Sequence, residues 1–208
     1  MVTVNDQPAL QRVWGLFAEL LEYPRESPVE MLEECRKLTG AAFRDAEIRL
    51  AEFQAFAEDT TPGRLQEEYT RAFDMDETHS LYVGDHRLGE SYKRSALLLE
   101  FMERYRTHDM EVAGELADHL PVVLRFLALC DDSELTDVII GEAVWPMLEM
   151  MAKKDKKSDD AAEDEERPPT ASPPYHELLA ALLAVVEAVT ANDRKLLVIT
   201  GAVEWPTM

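Results

Sequence analysis

The length, composition and charge of the chain exclude several classes of protein. It has 208 residues, and its 42 acidic and 21 basic residues give a formal net charge of −21. Such a charge repels nucleic acids, so we expect no nucleic-acid partner. Hydrophobic residues make up 46% of the chain and only 8 residues are glycine. This composition favours a helical globular fold over a turn-rich β-sandwich.

The cysteines, the N-terminal residues and the apolar runs exclude further classes. Cys35 and Cys130 lie far apart, so they build neither a CxxC pair nor a thiolate zinc site within one chain. The first residues contain no basic segment followed by an apolar core, so we expect no secretory signal. The longest apolar run, Leu178 to Val186, is less than half of the ~20 residues that cross a bilayer. These features predict a cytoplasmic protein with no direct membrane insertion.

Apolar residues at helical spacing predict four helices in the first third of the chain. The first helix ends before Pro24, because the residue before a proline disfavours helix. The second spans residues 28–38 and ends at Gly40, and the tripeptide Thr61-Pro62-Gly63 separates the third from the fourth. Their apolar positions are Leu10, Val13, Trp14, Phe17, Leu20 and Leu21 in the first helix, Phe43, Ala46, Leu50, Phe53 and Ala57 in the third, and Leu65, Tyr69, Ala72 and Phe73 in the fourth.

The segment Asp74–Gly89 has a different character. It has no helical period and contains two glycines, so we interpret it as an irregular connection that is long enough to be a functional loop. Three more helices follow it. Asp132 is placed to cap the third of these, and Pro146 must kink or restart that helix. Their apolar residues are Leu98, Phe101, Met102 and Tyr105, then Leu120, Val123, Leu124 and Leu127, then Val138, Ile139 and Ile140.

Composition changes abruptly after residue 152. The segment 153–174 is charged and rich in proline, which is typical of a segment that cannot offset its ordering entropy. Apolar residues return in Tyr175–Thr190 and predict an eighth helix that packs on the bundle. The sequence thus predicts an all-α fold, a single helical-bundle domain of about eight helices. Its parts are a helical domain (1–152), a disordered linker (153–174) and a C-terminal helix with a tail (175–208).

Acidic residues and histidines in the 74–89 segment raise the question of a metal site. The alternating oxygen-bearing residues from Asp74 to Asp85 are similar to a calcium loop, but His79 stands where the sharp turn needs glycine. A transition-metal site would combine His79 and Asp85 with Glu77 and His86, which lack HExxH geometry. We therefore expect no metal site and no cofactor, and we interpret the acidic residues as solvated.

Asp118 and His119 do not make a catalytic dyad, because consecutive helical side chains point about 100° apart. Asp118 is instead placed to cap the sixth helix, with Pro121 in its first turn. The motifs GxSxG, GxxxxGK[ST] and GxGxxG do not occur in the sequence. The sequence therefore predicts no catalytic residues.

Charged, hydroxyl and aromatic groups are mixed where the 74–89 segment runs into the fifth helix. One interpretation is a helix cap with exposed charges. The alternative is a surface that recognises a cationic, partly hydrophobic peptide, which folds as a helix on docking. The residues concerned are Tyr82, Glu90, Ser91, Tyr92, Lys93 and Arg94.

Four short motifs within residues 10–150 resemble those of one protein family. They are Tyr69-Thr70-Arg71-Ala72-Phe73-Asp74, then His79-Ser80-Leu81-Tyr82-Val83, then Gly89-Glu90-Ser91, and last Asp118-His119-Leu120-Pro121. In sequence, order and spacing they resemble the nitrate reductase assembly chaperones. This is the delta-subunit or NarJ-type branch of the TorD-like redox-enzyme maturation proteins.

The resemblance implies an all-helical cytoplasmic chaperone that is not an enzyme. Such a protein binds the N-terminal signal or signal-like peptide of an apo molybdoenzyme catalytic subunit and holds that subunit for molybdenum cofactor insertion before membrane docking or export. The implied partners are this subunit and, as a further candidate, the cofactor-insertion machinery. The peptide-binding residues that the motifs imply, together with Arg94 from the helix start, are Tyr69, Phe73, Asp74, His79, Tyr82, Glu90, Ser91, Arg94, Asp118, His119, Leu120 and Pro121.

Two other functions remain open. A small metal- or nucleotide-handling enzyme would have its site in the 74–89 segment, and bound metal in the purified protein would favour it. A permanent structural subunit would copurify with the mature, cofactor-loaded enzyme, whereas an assembly chaperone would not.

Overall fold

A computed structural model of the protein describes residues 6–162 and 173–200, except Ala41, Glu90 and Ala113. Most of these residues are helical, and the all-α class predicted from the sequence is confirmed. The α-helices within the described ranges are α1 (Gln7–Leu20), α2 (Val29–Thr39), α3 (Arg44–Glu58), α4 (Pro62–Tyr69), α5 (Val83–Leu88), α6 (Tyr92–Thr107), α7 (Leu120–Leu129), α8 (Ser133–Ile139), α9 (Trp145–Ala162) and α10 (Pro174–Thr200).

Two pairs of helices that are distant in sequence form the centre of the bundle. Helix α1 packs along α7, and α3 packs along α10, while α2 lies against both α1 and α3. Most of the apolar positions of the predicted helices are buried in this core, as a helical period requires. The largest side chains buried there are Trp14, Tyr105, Tyr175, Phe17, Phe53 and Phe126.

Side-chain caps begin α4 and α8, and the cap of α8 is the one that the sequence predicts. Thr61 accepts a hydrogen bond from the backbone N–H of Arg64 at the start of α4, just before Pro62. Asp132 accepts from the backbone N–H of Leu135 at 3.1 Å, so the predicted cap of α8 is confirmed. Each cap satisfies a donor that the first turn of a helix leaves without an intrahelical partner.

The 74–89 segment is more regular than predicted. A π-helical turn, Thr70–Asp74, continues α4, a 3₁₀ turn forms at Glu77–His79, and α5 follows. The prediction of an irregular connection is therefore wrong over Val83–Leu88. A helix this short does not display a helical period in the sequence. Gly89 ends it with a φ of 54°, a conformation that glycine adopts without strain.

The predicted interruption near Pro146 takes the form of a second π-helical turn. This turn, Ile140–Val144, continues α8, and α9 starts at Trp145. Proline has no N–H, so it cannot donate to the Glu142 carbonyl as the helix would require. The Arg87 guanidinium donates to that carbonyl instead and ties α5 to this π-helical turn.

The chain after residue 152 partly differs from the prediction. Helix α9 extends to Ala162, so the first part of the predicted linker has a helical backbone. Residues 163–172 of that linker and residues 201–208 of the predicted tail lie outside the described residues. Helix α10 continues to Thr200, beyond the predicted end at Thr190. Pro174–Ala191 is long and apolar enough to cross a membrane by composition, and 44% of it is buried in the fold. In this structure α10 packs against α3 and α9.

Candidate functional site

Two motifs that lie far apart in sequence pair through a short antiparallel bridge, in which Tyr82 lies opposite His119. The backbone N–H of Val83 donates to the Asp118 carbonyl over 2.8 Å. On the other side, the N–H of Leu120 donates over 2.7 Å to the carbonyl that precedes Tyr82. The Leu-Tyr-Val and Asp-His-Leu-Pro motifs therefore meet between α5 and the start of α7.

The Asp118 side chain is fully buried beside this bridge. Its Oδ2 accepts from the Gly84 backbone N–H at 3.2 Å and from Arg94 Nε at 3.0 Å. Arg94 also pairs with Asp85 of α5. Burial alone would lower the pKa of Arg94, but the hydrogen bond and charge of Asp118 and the charge of Asp85 raise it above its ordinary value. This ion-pair cluster, Asp85–Arg94–Asp118, fixes the start of α6 against α5 and the bridge.

The prediction that Asp118 caps a helix is wrong. Helix α7 begins at Leu120, and His119 occupies its N-cap position. The Asp118 carboxylate is instead turned toward Gly84 and Arg94, which come from other parts of the chain. Its role is therefore to join three segments and not to start one helix.

Gly84 approaches the cluster so closely that a larger residue does not fit. A Cβ at this position would lie 2.7 Å from Asp118 Oδ2 and 3.0 Å from Arg94 Cγ. Both atoms belong to side chains that the ion pair holds in place, so relief of the clash would weaken that pair. The absence of a side chain at residue 84 is thus a requirement of the cluster.

We expect Gly84→Ala to lower the free energy of unfolding by about 2 kcal/mol, because the added methyl group overpacks the cluster. The matched control is Gly63→Ala in α4, where a Cβ meets nothing within 4 Å. That change should stabilise the protein by about 0.4–1 kcal/mol, because it restricts the unfolded chain. Denaturant unfolding measures both values, and equal stabilities of the two variants would contradict the close approach.

Tyr82 and His119 form the half-buried edge of this site. The Tyr82 hydroxyl donates to Glu115 Oε2 at 2.8 Å. Its ring centroid lies 5.1 Å from that of His119 and 5.6 Å from the Arg94 guanidinium. Partial burial and the bond to Glu115 raise the pKa of Tyr82 to about 12, so the hydroxyl remains a donor. Burial lowers the pKa of His119, which keeps its ring neutral at pH 7.

Three further predicted site residues lie in different surroundings. Ser91 accepts from the backbone N–H of Arg94 at 3.4 Å and caps α6, which agrees with the first interpretation of this helix start. Asp74 is exposed at the end of the first π-helical turn. Glu90 lies outside the described residues.

Tyr69, Phe73, Leu120 and Pro121 belong to the core. Tyr69 and Phe73 are 7% and 8% exposed, and both rings meet Tyr175 of α10 edge-on. The Tyr69 hydroxyl donates to the backbone carbonyl at the end of α1, and burial raises its pKa, so it stays a donor. Leu120 and Pro121 are buried in the first turn of α7. In this conformation these four residues are too buried to contact a peptide. Their contacts show that they pack the core.

Helix α6 carries exposed apolar side chains, of which only Tyr92 was among the residues that the sequence suggested for a recognition surface. Phe101 and Tyr105 are the buried residues of this helix, whereas Tyr92, Leu99 and Met102 are 88%, 67% and 57% exposed. Spacings of seven and three residues place these three on one side of the helix, which we call the outer face of α6. The pattern that groups Met102 with Phe101 and Tyr105 on one apolar face is wrong for Met102, because α6 packs on the bundle through a narrow stripe.

In the described part of the chain, the four residues considered as transition-metal ligands do not form one group of ligands. Glu77 is exposed, and Asp85 is held in the ion-pair cluster. His86 Nε2 lies 2.7 Å from the Ser80 carbonyl, and burial lowers the pKa of this histidine. Within the described part of the chain, only His79 of these four belongs to a group of potential ligands, and its neighbours are different residues.

Comparison with known proteins identifies the family. The family model described as nitrate reductase delta subunit matches residues 41–144, which is half of the chain.

The chain belongs to the nitrate reductase delta subunit family.

Curated relatives of this delta-subunit chain come from Escherichia coli. The chain is 26% identical over 143 residues to the nitrate reductase molybdenum cofactor assembly chaperone NarJ of strain K12, and equally to NarJ of O157:H7. The aligned part covers 67% of this chain and 60% of each NarJ. The probable nitrate reductase molybdenum cofactor assembly chaperone NarW of strain K12 is 26% identical over 133 residues, which cover 64% of this chain and 55% of NarW. The chain thus aligns with less than two thirds of the length of these relatives.

The region that matches the delta-subunit model contains the whole candidate site. It includes the bridge, the ion-pair cluster and α6, whereas α1, α2 and α10 lie outside it. The family signal therefore falls on the part of the bundle where the motifs converge.

Proposed function

We propose that this delta-subunit family member is an assembly chaperone for a molybdoenzyme catalytic subunit of the nitrate reductase type. In this proposal it binds the N-terminal signal or signal-like peptide of the apo subunit in the cytoplasm. It holds the subunit for molybdenum cofactor insertion before membrane docking or export, and it is not itself an enzyme. The names of the NarJ and NarW relatives support the cofactor-assembly role.

The observation that carries the peptide-binding part is the outer face of α6. Its three apolar side chains are more than half exposed, and the ion-pair cluster anchors the same helix beside the family motifs. Exposed apolar side chains grouped on one face commonly mark a surface that binds a protein or peptide. Helix α6 is held in place at its start and exposed along one side, so it can present such a surface to a peptide without a large rearrangement of the bundle.

A second segment packs against α6 through the helix's buried residue Tyr105. The Tyr105 hydroxyl donates to the Ala117 carbonyl at 2.8 Å and holds the segment that returns from α6 to the bridge. This segment carries Leu116, which is 48% exposed, and Glu115, which accepts from Tyr82. We propose that the client peptide lies along α6 beside this segment, as a helix with its apolar side toward the outer face.

The negative charge of the chain and a moderate affinity would both suit the transient binding of a cationic peptide. A net charge of −21 attracts a basic or twin-arginine segment and speeds its encounter with the chaperone. Burial of the apolar side of the peptide then supplies most of the binding free energy. A micromolar site corresponds to about −8 kcal/mol, which holds a client and still allows release.

The identity of the client is tested by affinity purification of the tagged chain from the cytoplasm of its own cells. Partners are identified by mass spectrometry and assayed for molybdenum. A cofactor-poor molybdoenzyme catalytic subunit would support the proposal and name the client. Copurification with the loaded enzyme would favour a structural subunit, and the absence of any molybdoenzyme would contradict the proposal.

The docking surface is tested with the double variant Leu99→Ala and Met102→Ala. We expect its affinity for the N-terminal peptide of the captured subunit to fall at least tenfold, about 1.4 kcal/mol, because two apolar contacts are removed. Its melting temperature should hardly change, because both side chains are exposed.

The matched control truncates two exposed apolar residues elsewhere, Ile48 and Leu129, which are 44% and 55% exposed. This Ile48→Ala, Leu129→Ala protein should bind the peptide like the wild type. Fluorescence anisotropy with a labelled peptide measures both affinities. Equal affinities of the two double variants would place the peptide elsewhere than on α6.

A further inference from the structure

Three side chains that can bind a metal ion meet where the 3₁₀ turn contacts the start of α10. Asp76 is the N-cap of that turn and His79 is its last residue, while His176 lies in the first turn of α10. One potential ligand atom from each lies within 4.8 Å of the others. Among the residues that the structure describes, this is the one such trio of histidine, cysteine or acidic side chains.

The two imidazoles are buried against each other. His79 is 2% exposed and His176 is 9% exposed, their ring centroids are 3.9 Å apart, and their planes differ by 21°. His79 Nδ1 lies 2.8 Å from Asp76 Oδ2. With the proton on Nδ1, the lone pair of the His79 ring that can bind a metal ion is on Nε2. A carboxylate that orients a histidine in this way is the usual companion of a histidine ligand.

We propose that His79 and His176 bind one divalent transition-metal ion of the zinc class, with Asp76 as the residue that positions His79. Imidazole nitrogen suits zinc, cobalt, nickel and copper, whereas calcium and magnesium require more oxygen ligands than this site offers. Two nearly parallel rings cannot both direct a lone pair at one ion. The His176 ring therefore turns about its side-chain bonds on binding, and water completes the coordination.

Such an ion would fasten together parts of the chain that are distant in sequence. Asp76 and His79 lie within the family-matched region, and His176 lies beyond it. Helix α9 reaches the same turn, because Lys154 Nζ donates to the Thr78 carbonyl at 3.3 Å. The positive charge of Lys154 opposes a bound cation, and the Asp76 carboxylate offsets it. The site does not include the outer face of α6, so the metal proposal can be tested independently of the chaperone proposal.

The first test is a titration of the metal-free full-length chain with Zn²⁺, in competition with a chromogenic zinc chelator. We expect one Zn²⁺ per chain with a Kd of ~10 µM or tighter. Zn²⁺ should also raise the melting temperature, and EDTA should reverse the rise, because a ligand that binds only the folded state stabilises it. The absence of binding at this level in the wild-type protein would overturn the proposal, whatever the variants show.

Variants then assign the ligands. His79→Gln and His176→Gln should each weaken Zn²⁺ binding about a hundredfold, and Asp76→Asn about tenfold, as expected for a positioning residue. The control is His108→Gln, because His108 Nε2 lies 3.9 Å from Cys130 Sγ and forms a separate pair of potential ligands. Circular dichroism confirms that each variant keeps its helices. Loss of binding in His108→Gln with full binding in His79→Gln and His176→Gln would overturn the assignment.

Discussion

Asp118→Ala is expected to lower the melting temperature by about 6–12 °C, which corresponds to about 3 kcal/mol for a chain of this size. Removal of one partner from a buried ion pair leaves the other charge without compensation and costs about 3–5 kcal/mol. We expect the lower end of this range, because Arg94 still pairs with Asp85 in the variant and the Arg94 side chain is 14% exposed to water. The Gly84 N–H also loses its acceptor. Differential scanning calorimetry measures the change.

The control for this variant is Glu33→Ala, which removes an exposed partner of Lys37. That change should alter stability by no more than about 0.5 kcal/mol. Peptide binding below the melting temperature separates two roles of Asp118. Loss of peptide binding with an unchanged melting temperature would mean that Asp118 recognises the client directly. Such a result would contradict the structural role of the ion-pair cluster.

Tyr175→Ala is expected to destabilise the protein by about 4 kcal/mol, because truncation of a buried aromatic residue removes its packing and leaves a cavity. The Tyr175 ring is 1% exposed, and its centroid lies 5.0 Å from that of Phe53 and 5.4 Å from those of Tyr69 and Phe73. These contacts join α10 to α3, α4 and the π-helical turn. Urea denaturation should show an earlier midpoint.

Tyr92→Ala is the matched control, because it makes the same substitution at a tyrosine that is 88% exposed. We expect its stability to change by less than about 0.5 kcal/mol. A second variant, Tyr175→Phe, keeps the ring and should lose about 1 kcal/mol or less. If Tyr175→Ala were as stable as Tyr92→Ala, α10 would not depend on this aromatic cluster for its packing.

Local physical chemistry explains which parts of the fold were predictable. Trp14 and Phe17 follow a helical period, and both are buried in α1. The interruption at Pro146 was also predictable, because a missing N–H disrupts the helix wherever it occurs. Helix α5 was not predictable, because its six residues give no period, and Gly84 within it and Gly89 after it favour a loop. The sequence around Pro146 does not indicate that Arg87 donates to the Glu142 carbonyl, which lacks the N–H of residue 146 as a donor.

The candidate site was predictable in its motifs and not in its geometry. Asp118 was singled out, but the local spacing pointed to a cap, whereas its partners Gly84 and Arg94 lie 34 and 24 positions away. Met102 was grouped with Phe101 and Tyr105 on one apolar face, because the sequence does not show that α6 is buried only along a narrow stripe. His79 and His176 could be paired only after the fold had brought α10 onto the 3₁₀ turn.

The packing of α10 on α3 also sets an order for folding during synthesis. Arg49 of α3 and Glu177 of α10 form an ion pair with an N–O distance of 2.7 Å, although they are 128 positions apart in the sequence. Helix α3 therefore leaves the ribosome long before α10 exists, and the part of its surface that packs on α10 stays uncovered while the intervening helices are made. Closure of so long a loop is slow, and uncovered apolar surface invites association with other chains. For much of its own translation, the nascent protein thus presents the kind of surface that holdase chaperones bind.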